Sequence, residues 1–255
     1  MKNICTLEMP VFRWRQLVKM MHPLCSEFPM DISSEKLRIA MVDPAHVVML
    51  VVELHPRLFK VFDVQEPVRI GWDLSSLERA LRFLDGSDMF SLMVLDDLHC
   101  DVEAEFEFGV YRKHIRLPDI GGIPDPKVPN LDLERTLDVD PRGFGMAVRK
   151  MTLSDYLCLM SSGKDLIVEC EGDTDNEHIA LDVLNPLKKR GKKYRSLFNI
   201  DYMNNIIRTA PKEMRQLTMR LGMDNPVELK YVEKDKDEQA VMEAMFLLAP
   251  RIESE

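Results

Sequence analysis

The stretch "PDIGGIPDPKVPNLDL", residues 118–133, decides how this chain is read. It holds four prolines and two glycines. Proline fixes φ and has no N–H to donate, so a segment this rich in it cannot form a regular helix or a central strand. It reads as an extended linker between domains. The division that follows is 1–117 for a first domain, 118–133 for the connector and 134–255 for a second domain.

Working outward, each flank has the same order of elements. Before the linker, "PVFRWRQLVKMMHPL" reads as a helix, followed by the strand-like runs "MDISSEKLRIAMV", "HVVMLVVEL" and "KVFDV". A second helix follows in "DLSSLERALRFLDG", where Leu74, Leu77, Leu81 and Leu84 step by 3, 4 and 3 along one face. Asp73 or Ser75 suits its start and Gly86 its end. Alternating strands "MFSLMVL", "VEAEFEF" and "HIRL" close the half. After the linker the order repeats. Helical "PRGFGMAVRKM" leads to strands "YLCLM", "LIVECEG" and "HIALDVL", then helical "FNIDYMNNIIRTAP", then "QLTMRLG", "VELKYV" and "VMEAMFLLAP". "QLVKMM" lies over "MAVRKM", and "LERALR" over "MNNIIR". A repeat of roughly 125 residues points to an internal duplication. The fold class is α+β.

Bulk properties narrow the function. The 255 residues are 45% apolar and 30% charged, as in a globular protein. The longest apolar run, Val47–Val52, is strand length, far from the roughly eighteen residues of a membrane span. The first ten residues lack the basic-then-apolar order of a signal peptide, so the chain reads as intracellular and without a membrane partner. Cys5, Cys25, Cys100, Cys158 and Cys170 are odd in number and widely spaced, without C-x-x-C, which argues for buried free thiols rather than disulfides or zinc. "DTDNE" (173–177) lacks the glycine and glutamate of a calcium loop and reads as a turn. His99 and Cys100 are neighbours in a strand and point to opposite sides, so they form no nucleophile pair. No metal, cofactor or catalytic residue is expected. No phosphate-binding G-x-x-x-x-G-K-[ST] loop is present.

Net charge is −9, which alone argues against nucleic acid, but the charges are segregated. Arg15, Lys19 and His22 are spaced 4 and 3 on the first helix, and Arg79 and Arg82 by 3 on the second. Arg142 and Arg149, with Lys150, mark the third; Arg208 and Lys212 mark the fourth, with Pro211 between them. Acids are sparse on all four. A solvated helix face carries charge for solubility alone, and that alternative stands. The segregation is nevertheless what a phosphate-facing surface needs, and it would bind backbone irrespective of sequence. The basic loop "LKKRGKKYR" (187–195) suits either a solvated hairpin tip or a nucleic-acid patch.

Five stretches carry a family resemblance: "MVDPAHVVMLVVEL", "GWDLSSLERALR", "GGIPD", "SDYLCLM…LIVECEGD" and the terminal "FLLAPRIE". In order and spacing the chain resembles the sliding clamps of eukaryotes and archaea, the proliferating cell nuclear antigen family. The resemblance implies two similar clamp domains with helices on one face of antiparallel sheets, three subunits closing into a ring around duplex DNA, and no catalytic activity. It implies a polymerase processivity factor that docks replication and repair proteins carrying a clamp-binding peptide. A separate loader ATPase would open the ring, or the ring would open spontaneously. The implied location is cytoplasm or nucleoid in an archaeon and nucleus in a eukaryote. Carried over by position, the DNA-facing residues are Arg15, Lys19, His22, Arg79, Arg82, Arg149 and Arg208, with Lys150, Arg142 and Lys212 less central. Gln16 departs from the family, which often has a cation there.

The resemblance also implies two edge strands that close the ring, near 108–117 and 174–183. The first carries Arg112, Lys113, His114 and Arg116; the second carries acids including Asp175 and Glu177. Opposite charge across such a pair favours head-to-tail closure over self-pairing; the alternative is that both are ordinary exposed edges. The implied partner pocket has Val42, His46, Val47 and Met49 on one wall, Ile123 as lid, and Pro226, Leu247, Ala249 and Pro250 on the other. In "FLLAPRIE", Pro250 stops the strand ladder, which would leave Arg251–Glu253 with free backbone groups for a peptide to pair with. Two rivals remain: a subunit of a heteromeric clamp-like ring, and an enzyme with an unrecognised site.

Overall fold

The computed structural model describes residues 2–96, 98–120, 125–161, 165–185 and 192–251. The chain divides into two units. The first comprises Met1–Pro44, Leu50–Pro126 and Lys234–Glu243; the second comprises Ala45–Met49, Lys127–Glu233 and Ala244–Glu255. One division falls at Pro126–Lys127, inside the proline-rich stretch, whose described residues carry neither helix nor strand.

The first unit runs β1 (Asn3–Pro10), α1 (Val11–Met21), β2 (Glu27–Ile32), β3 (Leu37–Val42), β4 (Val48–Leu54, from Leu50 in this unit), β5 (Val61–Val64), β6 (Val68–Asp73), α2 (Leu74–Leu81), β7 (Met89–Leu95), β8 (His99–Phe106) and β9 (Gly109–Arg116). Its strands lie in the orders β5-β1-β7-β8-β9 and β4-β3-β2-β6. The second unit runs β10 (Arg135–Val139), α3 (Pro141–Lys150), β11 (Tyr156–Ser161), β12 (Asp165–Glu171), β13 (Asn176–Asp182), β14 (Tyr194–Asn199), α4 (Ile200–Thr209), β15 (Gln216–Leu221), β16 (Val227–Lys234) and β17 (Ala240–Leu248, from Ala244 in this unit). Its orders are β10-β15-β16-β17 and β13-β12-β11-β14. Strand for strand the two units match, with β5 the one addition.

The same physics builds both. In β1, Cys5, Leu7 and Met9 alternate inward with no exposed surface. In β12, Leu166, Val168 and Cys170 do the same. α1 buries Trp14, Leu17 and Val18, and packs on α2; α3 buries Phe144, Ala147 and Val148, and packs on α4. Trp14 closes its one donor by giving Nε1–H to the Phe90 carbonyl at 3.2 Å. Three helices have matching N-caps. Asp73 accepts from the Ser76 amide at 2.6 Å, Asp140 from Gly143 at 2.6 Å and Asn199 from Tyr202 at 3.1 Å. At α1 the cap position is Pro10, which makes no side-chain bond.

Several local expectations change. The run 30–42 is a hairpin and not one strand: Asp31 pairs with Arg38, and Ser33 closes the turn to the Lys36 carbonyl at 3.0 Å. Pro29 disguises β2, because proline ordinarily demotes a strand. β1, β6, β10 and β14 were not expected, and the last helix starts at Ile200 rather than Phe198. The second helix ends at Leu81, so Leu84 and Gly86 lie beyond it. A glycine is not needed to end it, because the Arg15 guanidinium donates to the Leu81 carbonyl at 2.9 Å and to Leu84 at 2.7 Å. Lys212 likewise lies past α4, which stops before Pro211.

Candidate functional site

The described helices carry Arg13, Arg15, Lys19, Arg79, Arg142, Arg149, Lys150 and Arg208 against only Glu78 and Asp201. All but Arg13 are exposed, Arg13 being half-buried. The placement follows from the apolar stripe: once Leu74, Leu77 and Leu81 turn inward, Arg79 must turn out. Lys19, Arg79, Arg149, Lys150 and Arg208 sit in last helical turns, where a cation also complements the helix dipole.

The cations differ in how far they are engaged within the protein. Arg15 is tied to the exit of α2, as above. Arg79 folds back along its own helix, donating to Ser75 Oγ at 3.1 Å and Ser76 Oγ at 2.8 Å. His22, at the end of α1, stands 4.0 Å from Glu78. Arg82 is not helical: it occupies the C-cap in an extended conformation, its guanidinium 5.4 Å from the Phe83 ring centre. Among the described residues, Lys19, Arg142, Arg149, Lys150, Arg208 and Lys212 have no side-chain hydrogen bond or ion pair. Gln16, the departure from the family pattern, accepts from Arg13 at 3.2 Å. Arg13 is therefore a further cation on α1 that the spacing argument left out, because it is offset from the Arg15–Lys19 line.

Both expected closing strands are sheet edges, β9 in the first unit and β13 in the second. Part of their charge is already matched inside each sheet. Arg112 pairs with Glu103 of β8 at 2.6 Å, which raises the guanidinium pKa further, and His114 meets Asp101 at 2.6 Å. Glu177 accepts from the backbone amides of Thr152 and Leu153. Lys113, Arg116 and Asp175 face solvent.

Of the expected pocket, Ile123 lies outside the described residues, as do Ile252 and Glu253 of the terminus. Val42 is half-buried in the first unit. In the second unit His46 is exposed with φ 56°, Val47, Pro226, Ala249 and Pro250 are half-buried, and Met49 and Leu247 are buried. The Ala249 amide donates to the Val47 carbonyl at 2.9 Å, which joins the two segments. Arg251 corrects the expectation of free backbone groups after Pro250. Its N–H donates to the Leu197 carbonyl of β14 at 2.7 Å, and its guanidinium lies 3.8 Å from the Tyr156 ring centre.

Reactive chemistry has few candidates. Burial pushes the Cys5 and Cys25 thiols up to about 11 and Cys100 higher still, so none is a thiolate at neutral pH. Among the described residues no cluster of His, Cys, Asp and Glu could hold a metal ion, and no helix is long and apolar enough to cross a membrane.

Residues 11–109 match the family model described as proliferating cell nuclear antigen, N-terminal domain. The DNA polymerase sliding clamp of Methanococcoides burtonii is 29% identical over 91% of this chain and 92% of its own length. That of Archaeoglobus fulgidus is 28% identical over 91% and 92%. The solved structure of the C-terminal region of FEN-1 bound to A. fulgidus PCNA superposes with a TM-score of 0.85 at 25% identity, covering 98% of this chain and all of that one. The first unit thus matches the proliferating cell nuclear antigen family model, and the likeness to sliding clamps runs the length of the chain. In this chain each of the two similar units carries one basic helix pair.

Proposed function

We propose that this protein is a DNA sliding clamp: it encircles duplex DNA as a closed homotrimer, holds a polymerase to its template and docks other replication and repair proteins. The observation that carries the reading is the charge segregation. A chain of net charge −9 keeps its helices basic in both units. Scattered cations without amide or aromatic clusters on every helix contact phosphates without preferring a register, which is what sliding needs. The domain division is 1–117 and 134–255 with 118–133 as connector. Ring closure pairs β9 of one subunit with β13 of the next, using Lys113, Arg116 and Asp175 with the remaining capacity of Arg112 and Glu177. The protein acts inside the cell, where its DNA is, and has no catalysis of its own. A separate ATPase loads it. Partners enter the surface around His46, Val47, Pro226, Ala249 and Pro250, and pair with the chain beyond Arg251.

Retention on DNA tests the reading. A loaded clamp stays on a closed circle in high salt and slides off once the circle is cut; equal retention on both forms refutes encirclement. Solution mass tests closure: a trimer is expected, whereas a stable monomer indicates a subunit of a heteromeric ring. Deleting residues 250–255 is expected to keep the trimer and abolish polymerase stimulation. Stimulation that survives the deletion removes the terminus from the docking site.

A further inference from the structure

A cavity of about 360 Å³ opens on the first unit, where the turn from β2 to β3 meets the start of β6. Ile32, Pro67 and Val68 give it apolar walls, and Lys36, Arg38 and Arg69 bring three cations to it. Strand register explains the grouping. Asp31 of β2 stands opposite Arg38 of β3 on one side and opposite Arg69 of β6 on the other, so one carboxylate lies between two guanidinium groups. Arg69 donates to Asp31 Oδ1 at 3.3 Å, and Lys36 donates to Glu53 of β4 at 2.6 Å.

Three carboxylates converge on Arg38. Asp31 Oδ2 is 3.6 Å from its Nη1 and Glu53 is 3.9 Å from its Nε, whereas Asp125 of the connector accepts a hydrogen bond from Nη1 at 2.9 Å. The consequence falls on Asp31, whose Oδ2 is buried and makes no hydrogen bond. Folded proteins rarely keep such an atom without a reason. The three carboxylates are not equally fixed. Asp31 and Glu53 belong to strands, and their side chains are 31% and 33% exposed. Asp125 is 49% exposed and comes from a proline-rich segment with neither helix nor strand. Asp125 is therefore the replaceable counterion. With it withdrawn, the three cations of the cavity face only Asp31 and Glu53.

We propose that Arg38, with Lys36 and Arg69 beside it, is a subsite for a carboxylate side chain of a docked partner peptide. That carboxylate takes the place of Asp125, so the protein selects peptides with an acidic segment flanking their apolar anchors. The exchange sets one carboxylate on Arg38 in place of another, and the released Asp125 returns to water at small cost because it is already half exposed. The planar guanidinium can hold the newcomer by two parallel hydrogen bonds. An incoming lysine or arginine would instead draw Asp125 away and stand among three cations, which is unfavourable. The chain as a whole, at net charge −9, attracts basic peptides. A preference for acidic ones must therefore arise at a local site. This rests on the docking reading, which sets Ile123 of the connector over the bound peptide.

The test uses the full-length protein and three fluorescein-labelled synthetic peptides at one ionic strength. All share a core of aliphatic and aromatic anchors and differ only in flanks of aspartate, alanine or lysine. By fluorescence anisotropy, Arg38→Ala should bind the aspartate peptide about threefold or more weaker than wild type, with the alanine peptide unchanged. Asp125→Asn removes the competing carboxylate and should bind the aspartate peptide about threefold tighter. Asp201→Asn on α4 removes the same charge from the other unit and should give no such gain. Circular dichroism confirms the fold of Arg38→Ala, and Asp125→Asn, on the connector, tests the proposal even if that variant does not fold. Equal affinity of wild type and Asp125→Asn for the aspartate peptide overturns the proposal, as does an equal gain in Asp201→Asn. A preference for the lysine peptide that Asp125→Asn abolishes also overturns it, making Asp125 itself the recognition group. These three results leave the docking reading intact. That reading fails separately, and takes the proposal with it, if the wild type binds none of the peptides.

Discussion

The two units leave their last strands by the same route and secure it differently. The first exits through Leu117, Pro118 and Asp119, the second through Ala249, Pro250 and Arg251. In each, the residue before the proline donates its amide to a neighbouring carbonyl, Leu117 to Leu98 at 2.8 Å and Ala249 to Val47 at 2.9 Å. The chain then crosses corresponding strands, β6 at Gly71 and β14 at Leu197. At Gly71 the crossing is packed: a Cβ there would fall 2.2 Å from Ile120 Cγ2 and 2.9 Å from the Pro118 carbonyl oxygen, and Ile120 is buried. At Leu197 a full side chain is kept, and among the described residues the crossing is held by the Arg251–Leu197 hydrogen bond and the Arg251–Tyr156 contact. The first exit is a fixed joint between elements. The second is, among the described residues, a lighter attachment than the first.

The largest expected effect breaks that joint. Gly71→Val overpacks the crossing and should destabilise the protein by about 2–3 kcal/mol, read as a lower urea midpoint with unchanged slope. Leu197→Ala, at the matched position, removes part of a half-buried side chain and should cost about 1 kcal/mol or less. If the two variants lose equal stability, the contrast between the exits is wrong.

A second contrast sets Arg15 against Arg149, cations of α1 and α3. Arg15→Ala removes two charge-assisted hydrogen bonds at the end of α2. Because the group is exposed, the expected cost is about 1 kcal/mol. Arg149→Ala breaks no side-chain hydrogen bond or ion pair to the described residues and should leave the melting temperature unchanged. On linear duplex each variant should flatten the dependence of log K on log salt, by about 0.9 for each phosphate that is no longer neutralised. A fall in stability without a change of slope in Arg15→Ala would make that residue purely structural.

The doubling itself was legible because it rests on signals that survive in one sequence. Leucines at helical spacing, capping residues before them and a linker too rich in proline for any element are all local. The exposed cations followed, since they are what remains when the apolar stripe turns in. What could not be read depends on partners distant in sequence. β1 and β10 are pinned only by the strands they pair with, and Pro29 hides β2. The end of α2 is set by Arg15, 66 residues away from Leu81, so a helix that looked to run to Gly86 stops at Leu81. The left-handed backbone of Phe83, φ 67°, was invisible for the same reason. The terminus was half legible: Pro250 does mark the end of the strand, but the anchor of Arg251 on Leu197 needed the fold.

The smallest contrast is between caps. Asp73 and Asn199 occupy matched positions before α2 and α4, and both accept the amide three residues on. Only the aspartate titrates. Hydrogen bonding from Ser76 and Ser75, with Arg79 nearby, holds its carboxyl below the ordinary carboxylate range. A depressed folded-state pKa gives stability that is present above the unfolded value, near about 4, and is lost as pH falls through the folded value. Asp73→Asn keeps the acceptor and loses the charge. At pH 7 it should cost only a few tenths of a kcal/mol, and that deficit should vanish as pH falls from about 5 toward about 2. Asn199→Asp should show the reverse trend, gaining at pH 7 and losing the gain in acid. Thermal melts of the two variants across that range decide it: parallel curves for wild type and Asp73→Asn would mean that the charge on Asp73 does nothing for the helix beyond what an amide does.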